Sequence, residues 1–232
     1  MRSTATLPSP SFEEAILGLP FCAGRRHRPT ADVTGRSLRS WRVLSGADGT
    51  LTGKCGAAML ELGEPRVLVC GSRRWPWPQT VEAVLDRLTN RYGQDLVVIE
   101  GAATGADRAA HDWCRHHGLG RDRHRCYPVD WAAEKEARPD RWRMAGPERN
   151  TRMLLNEHPR LVVAFHDHFA PASGGTSDMA LRAVLSEVPV WLVPSENVMV
   201  GTWLRPGIFP ADRIRRVTAE LPAVERRQHE AC

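Results

Sequence analysis

The chain has 232 residues, a formal net charge of +5, 42% hydrophobic and 25% charged residues. That length can bury one substantial core with room for extensions, and no apolar run approaches the ~20 residues of a membrane span, which excludes an integral helical membrane protein. The start, MRSTATLPSPSFEEA, lacks the charged-then-apolar order of an export signal, so the expectation is a soluble cytoplasmic protein with no membrane partner.

Six cysteines (Cys22, Cys55, Cys70, Cys114, Cys126, Cys232) are scattered without a CxxC, which argues against a zinc ribbon or a disulfide scaffold. The only lysines are Lys54 and Lys135. Arginine suits bidentate phosphate recognition, although a bias over a whole chain follows equally from codon composition.

Residues 1–64 mix charge with Gly, Pro, Ser and Thr and carry only short apolar pieces, so they read as a partly irregular N-terminal extension. Gly49 to Lys54, GTLTGK, is not a P-loop: three residues separate its glycines where four are needed, and Cys55 follows the lysine. From Pro65 the pattern becomes regular. Arg66 to Cys70 is a continuous apolar run, as in a strand buried on both faces. After the loop GSRRWPWPQ, Val81, Val84, Leu85 and Leu88 recur at helical spacing.

The next unit, Val97 to Cys114, is a β-branched strand, a small-residue turn and a helix striped by Ala106, Ala109, Ala110, Trp113 and Cys114. Such a turn offers unpaired backbone N–H groups and the positive end of a helix dipole to an anion. Arg125 to Val129 reads as a short third strand, and Asp130 to Met144 as a long loop or irregular lid. Gly146 to Glu157, opened by Pro147, predicts a helix. Leu161 to Phe165 is a fourth buried strand, followed by a helix with Leu181, Val184, Leu185 and Val188, and Val190 to Val193 is a fifth.

Alternating strands and helices imply parallel strands with right-handed crossovers, hence an α/β Rossmann-like three-layer sandwich around a mainly parallel five-stranded sheet over residues 65–195. Residues 196–232 form a C-terminal extension, with one more, mostly polar helix within Ala211 to Gln228.

Four loops fall where strands end and helices begin: Gly71, Ser72 and Arg73; Gly101 to Asp107; Gly146 to Asn150; and Gly174 to Asp178. In open α/β sheets ligands bind over the carboxyl edge, so the convergence carries more than any one loop. Each also has a plain reading. Gly71-Ser72-Arg73 would serve as a tight turn, Thr104-x-x-Asp107 fits a capping box, and Asn150 would serve as a helix cap. Trp75, Trp77 and Trp131 flank the loops and would stack on a base or pack in core and lid. His166 and His168 have no matching acid or cysteine spacing, so no metal and no cofactor are assigned.

The order and spacing of VLVCGSRRW, GAATGADRAA, YPVDW, GPERN, VVAF and GGTSDM resemble the DUF2493 or YspA-like family of the SLOG superfamily, whose relatives include DprA and the Lonely Guy phosphoribohydrolases. The resemblance spans residues 65–195. It implies a pocket for a nucleotide or nucleotide-derived ligand, with Gly71, Ser72, Arg73, Gly101, Gly105, Asp107, Arg149, Asn150, Gly174, Gly175 and Thr176 as binding residues. Arg73 or Arg149 would hold phosphate, and Asp107 or Asp178 would accept from ribose hydroxyls.

Where the phosphoribohydrolases carry a PGGxGTxxE-like motif, this chain has SGGTSDM, with Met179 in place of the glutamate. Asp178 lies one position earlier and about 100° around the helix.

The first expectation is therefore a domain that senses or sequesters a nucleotide derivative. The alternative is a hydrolase of an N-glycosidic or phosphate bond, with Asp178 or Asp107 as catalytic residue. DprA-like nucleic-acid binding rests on the basic balance alone and stands third. Homo-oligomers are common among Rossmann-like relatives, and no interface is legible in this sequence.

Overall fold

In a computed structural model of the chain, the structure describes residues 64–221. The expectations for residues 1–63 and 222–232 lie outside the described residues. Strands β1 (Arg66–Gly71), β2 (Val97–Glu100), β3 (His124–Cys126), β4 (Leu161–Phe165), β5 (Val190–Val193) and β6 (Thr202–Trp203) form one sheet in the order β3-β2-β1-β4-β5-β6. All neighbouring pairs are parallel except β5 with β6. The five predicted strands are present, and the short antiparallel β6 adds a sixth.

The helices are α1 (Pro78–Tyr92), α2 (Ala106–His116), α3 (Trp131–Ala137), α4 (Ala145–Glu157), α5 (Gly175–Leu185) and α6 (Ala211–Glu220). Successive strand side chains point to opposite faces, so each strand feeds two cores. Val67, Val69, Val98, Val163 and Phe165 pack with the α1 stripe Val81, Val84, Leu85 and Leu88 and the α2 stripe Ala106, Ala110, Trp113 and Cys114. Leu68, Cys70, Ile99, Val162 and Ala164 pack on the other face with Met153 and Leu154 of α4, Met179 to Leu181 of α5, and Val217 of α6. This is the three-layer α/β sandwich that the alternation of strands and helices implies.

Two segments differ from their sequence expectation. The span Asp130 to Met144 is not irregular: it holds α3 and a 3₁₀ turn, Trp142–Met144. Its helix has no buried residue, so hydrophobic spacing could not reveal it. It is organised instead by polar contacts, with Asp130 Oδ1 accepting from the N–H groups of Ala132 at 3.1 Å and Ala133 at 3.0 Å and Arg138 pairing with Glu134. The third strand is shifted to His124–Cys126 and ends before Pro128, which has no N–H to continue a ladder.

Connecting β1 to β2 through α1 and then β4 on the other side of β1 reverses the strand order between β1 and β4. At such a reversal the crossover helices part, leaving a crevice above the carboxyl ends of the two strands. Gly71 and Phe165, the last residues of β1 and β4, are register partners there.

No helix among the described residues is long and apolar enough to cross a membrane.

Candidate functional site

The β1 and α2 loops are fastened to the sheet before they reach the crevice. Ser72 N–H donates to Phe165 O at 2.8 Å, and Ser72 O accepts from the N–H groups of Trp75 and Ala106 at 3.2 and 3.3 Å. Gly105 lies against this knot with φ +75°, and a Cβ on it would stand 2.1 Å from Ser72 O. Only glycine fits that close backbone approach at a positive φ. Gly105 is thus a packing residue that sets the distance between the two loops.

Thr104 and Asp107 do not form the expected capping box. Gly105 is the N-cap of α2 and supplies no side chain, while Thr104 Oγ1 donates to Arg73 O at 3.1 Å. Asp107 Oδ2 instead accepts from Gly101 N–H at 3.1 Å and Ala103 N–H at 3.4 Å, holding the turn after β2. The residue after the strand competes for the carboxylate more effectively than the helix start, because the turn folds back over α2.

Above this frame opens a hollow of about 440 Å³ lined by Gly71, Ser72, Arg73, Asp107, Arg149, Asn150, Gly175 and Thr176, with Cys70, Met153, His166 and Met179 also contributing. Eight of the predicted site residues therefore meet in one place. Gly101 lines an adjoining hollow of about 330 Å³ with Trp131, and Gly174 and Asp178 line another of about 400 Å³ with Arg213 and Arg216. Arg73 and Arg149 border all three. Of the predicted residues, Gly105 alone lines none of these hollows.

The arginines outnumber the acids around these walls, and the helix ends add to the positive field. Both α2 and α5 begin on a glycine N-cap, Gly105 and Gly174; the first N–H of α2, that of Ala106, is given to Ser72 O, whereas α5 starts with no side chain bonded to its first N–H groups. A helix start left open in this way presents partial positive charge to an anion.

Arg149 lies over Asp107 and is held by a hydrogen bond from Nη1 to Gly101 O. Burial pushes the Asp107 carboxyl up to about 6, and nearby Glu100 adds to the rise, against the opposing pull of Arg149 and the two backbone N–H groups. Burial likewise drives the Cys70 thiol far above its usual range, so it lines the hollow as a neutral group. His166, at the end of β4, is held below the usual imidazole value by its burial.

Asp178 is committed elsewhere. Its Oδ2 accepts from Asn150 Nδ2 at 2.9 Å and from Arg182 Nε at 2.8 Å. Asn150 thus serves as a bridge between α4 and α5 rather than as a helix cap. Met179, at the position of the phosphoribohydrolase glutamate, is buried and presents a thioether to the main hollow.

Trp75 and Trp77 take the core reading. Trp75 is buried against Phe165, ring centroids 5.6 Å apart, and its indole N–H donates to Trp77 O at 2.8 Å. Trp131 differs: it forms a wall of the two adjoining hollows, with the Arg73 guanidinium 5.9 Å from its ring centre.

Sequence reasoning missed Arg213. It comes from α6, which the sequence presented as a mostly polar helix, and it donates to Ser177 Oγ at 2.6 Å while lining the hollow beside Asp178. The apolar residues Ile214, Val217 and Leu221 of the same segment, which pack on the second core, were the available signal.

No curated protein and no solved structure matches the chain. A family's sequence model does match, over residues 65–133, the stretch that supplies the first two loops of the crevice and the start of α3; GPERN and GGTSDM lie beyond the matched residues. The model that matches this stretch, from β1 to the start of α3, is that of the YspA, cpYpsA-related SLOG family.

Proposed function

We propose that the chain binds a nucleotide or nucleotide-derived ligand in the crevice over β1 and β4, as a sensor or a sequestering domain. The observation that carries this reading is the pairing of Arg73 and Arg149 with the open start of α5, at Gly175 and Thr176, around one hollow of about 440 Å³. Phosphate suits such a setting, because guanidinium and backbone N–H donors make charge-assisted hydrogen bonds to its oxygens. Trp131, beside Arg73, offers a flat face for a base. The match of residues 65–133 to a SLOG family model supports a nucleotide-related role.

A second reading, hydrolysis of an N-glycosidic or phosphate bond, is favoured by Asp107. A buried carboxyl in a cleft, titrating near 6, is suited to hand a proton to a leaving group or take one from water. Asp178 serves this reading less well, since Asn150 and Arg182 occupy its Oδ2.

Native mass spectrometry of the full chain, followed by calorimetry with a panel of nucleoside mono- and diphosphates and ADP-ribose, tests binding. Binding to one of these, weakened by Arg149→Ala, is the expected result. No uptake from the panel, together with indifference to Arg149→Ala, would overturn it. Release of free base or phosphate in the same incubations, abolished by Asp107→Asn, would favour hydrolysis over sensing.

A further inference from the structure

Behind the turn that Asp107 holds, on the side of the sheet covered by α2, lies a second polar cluster. Glu100 ends β2 with its side chain fully buried, on the same face as Val98. His124 pairs with Val98 and Cys126 with Glu100 across the β2 and β3 ladder, so both β3 side chains point to that same face. Helix α2 covers the face and contributes His111. Three side chains that can ligate a metal, Glu100, His111 and His124, are therefore delivered to one spot by three regular elements, with Cys126 next to Glu100 across the ladder.

The distances suit an ion. Glu100 Oε1 lies 3.1 Å from His111 Nδ1 and 3.0 Å from His124 Nε2, and one donor atom from each of the three residues falls within 4.8 Å of the others. Tetrahedral zinc at ~2.0–2.1 Å from nitrogen and oxygen has ligands about 3.3 Å apart, so two edges of the triangle are already within a few tenths of an ångström of that size. The Cys126 thiol is hydrogen-bonded to the Glu100 carboxyl and stands at the exposed side of the cluster. The His111 side chain is 30% exposed, leaving a way in.

We propose that Glu100, His111, His124 and Cys126 form a site for a divalent ion of the zinc class. Two imidazoles, a carboxylate and a thiolate are the donor types such borderline ions take. A doubly charged ion with one carboxylate and one thiolate is neutral overall, which answers the cost of a fully buried Glu100 charge. On binding, the protons that His111 Nδ1 and His124 Nε2 direct at Glu100 move to the other ring nitrogens, and the Cys126 thiol releases its proton to solvent. One proton leaves per ion, so affinity rises with pH. Glu100 Oε2 keeps the Ala102 N–H, at 2.5 Å, so the site sits directly under the Gly101 to Ala103 turn of the crevice.

The test uses the full chain after treatment with a chelator, titrated with zinc alone in competition with a chromophoric chelator, and then with cobalt. One equivalent of zinc is expected, with the visible absorption of four-coordinate cobalt and a thiolate-to-cobalt charge-transfer band that Cys126→Ser removes. The double variant His111→Ala, His124→Ala should lose more affinity than the ~10–100-fold that follows removal of an outer partner of a metal ligand. Because that variant could lose its fold, alkylation of Cys126 in the unmutated chain gives an independent readout: zinc should protect the thiol. No bound zinc, or stoichiometric zinc that leaves Cys126 equally reactive and survives in a folded double variant, would overturn the proposal.

Discussion

Arg182 Nε donates to Asp178 Oδ2 at 2.8 Å, one turn further along α5, and the same guanidinium reaches Thr151 Oγ1 of α4 at 2.9 Å and Glu220 Oε2 of α6. The arginine side chain is 3% exposed and Asp178 13%, so the pair lies away from bulk water while tying three helices together. Replacing Arg182 with Met leaves Asp178 and Glu220 without their shared cation. Removal of one partner of a buried pair costs about 3–5 kcal/mol, and the 33% exposure of Glu220 puts this case at the lower end. Chemical denaturation should show a loss of about 3 kcal/mol for Arg182→Met and a smaller one for Asp178→Asn, which keeps an acceptor for Arg182. A loss within the ~0.5 kcal/mol of an ordinary surface change would show that the network holds nothing together.

The two glycines of the β2 turn should fail in different ways. A Cβ on Gly105 meets the Ser72 backbone at a positive φ, and neither loop can yield without opening the knot at Phe165. A Cβ on Gly101 meets the tip of Arg149, a flexible side chain that can swing away. Gly105→Ala should therefore lower the melting temperature markedly, whereas Gly101→Ala should fold and lose anion affinity, because it displaces Arg149 from its seat. Thermal melts paired with calorimetric titration of inorganic phosphate separate the two outcomes. Equal effects of both variants on both readouts would contradict this division of roles.

The difference between these glycines was not legible in the sequence, where both read as members of one ligand-binding turn. The strands and the apolar helix stripes were legible, because burial on both sheet faces leaves continuous runs such as Leu161 to Phe165, and one-sided burial leaves the spacing Val81, Val84, Leu85, Leu88. Convergence of the loops at one edge followed from the parallel order alone. What stayed hidden was set by polar partners far apart in the chain: α3 by its Asp130 cap and Arg138 pairs, Asn150 by Asp178, and the Glu100 cluster by β2 and β3 register. A hydrophobic pattern records which side of an element faces the core, and it holds no record of which charge meets which.

Asp107 makes a pH prediction with a defined sign. Its carboxyl is raised to about 6 in the fold, from a value of 3.8 without the environment, so the native state holds the proton more tightly than the unfolded chain. The resulting stability is fully present below about 4 and is lost as pH rises through about 6. Glu100 acts in the opposite sense: burial alone would raise it, but hydrogen bonds from His124, Cys126, the Ala102 N–H and His111 hold it below the usual carboxylate value, so its contribution falls as the medium becomes acidic. The difference in unfolding free energy between the native chain and Asp107→Asn isolates the first effect and should change between pH 4 and 6 in favour of the native chain on the acid side. A pH-independent difference would place the Asp107 titration outside this window.

Trp131 should separate recognition of a base from recognition of a phosphate. It lines the hollows on both sides of Arg73 yet belongs to no core cluster, so its truncation leaves the sheet and its packed helices untouched. Stacking of a base on an aromatic side chain contributes ~1–3 kcal/mol, equivalent to roughly 5- to 150-fold in affinity. Trp131→Ala should weaken binding of a nucleoside monophosphate by a factor in that range while changing the affinity for inorganic phosphate less than about twofold, since Arg73 and Arg149 remain. Parallel titrations of the two ligands measure the ratio directly. If both fall together, Trp131 acts by holding Arg73 in place, and the base must lie against another wall of the crevice.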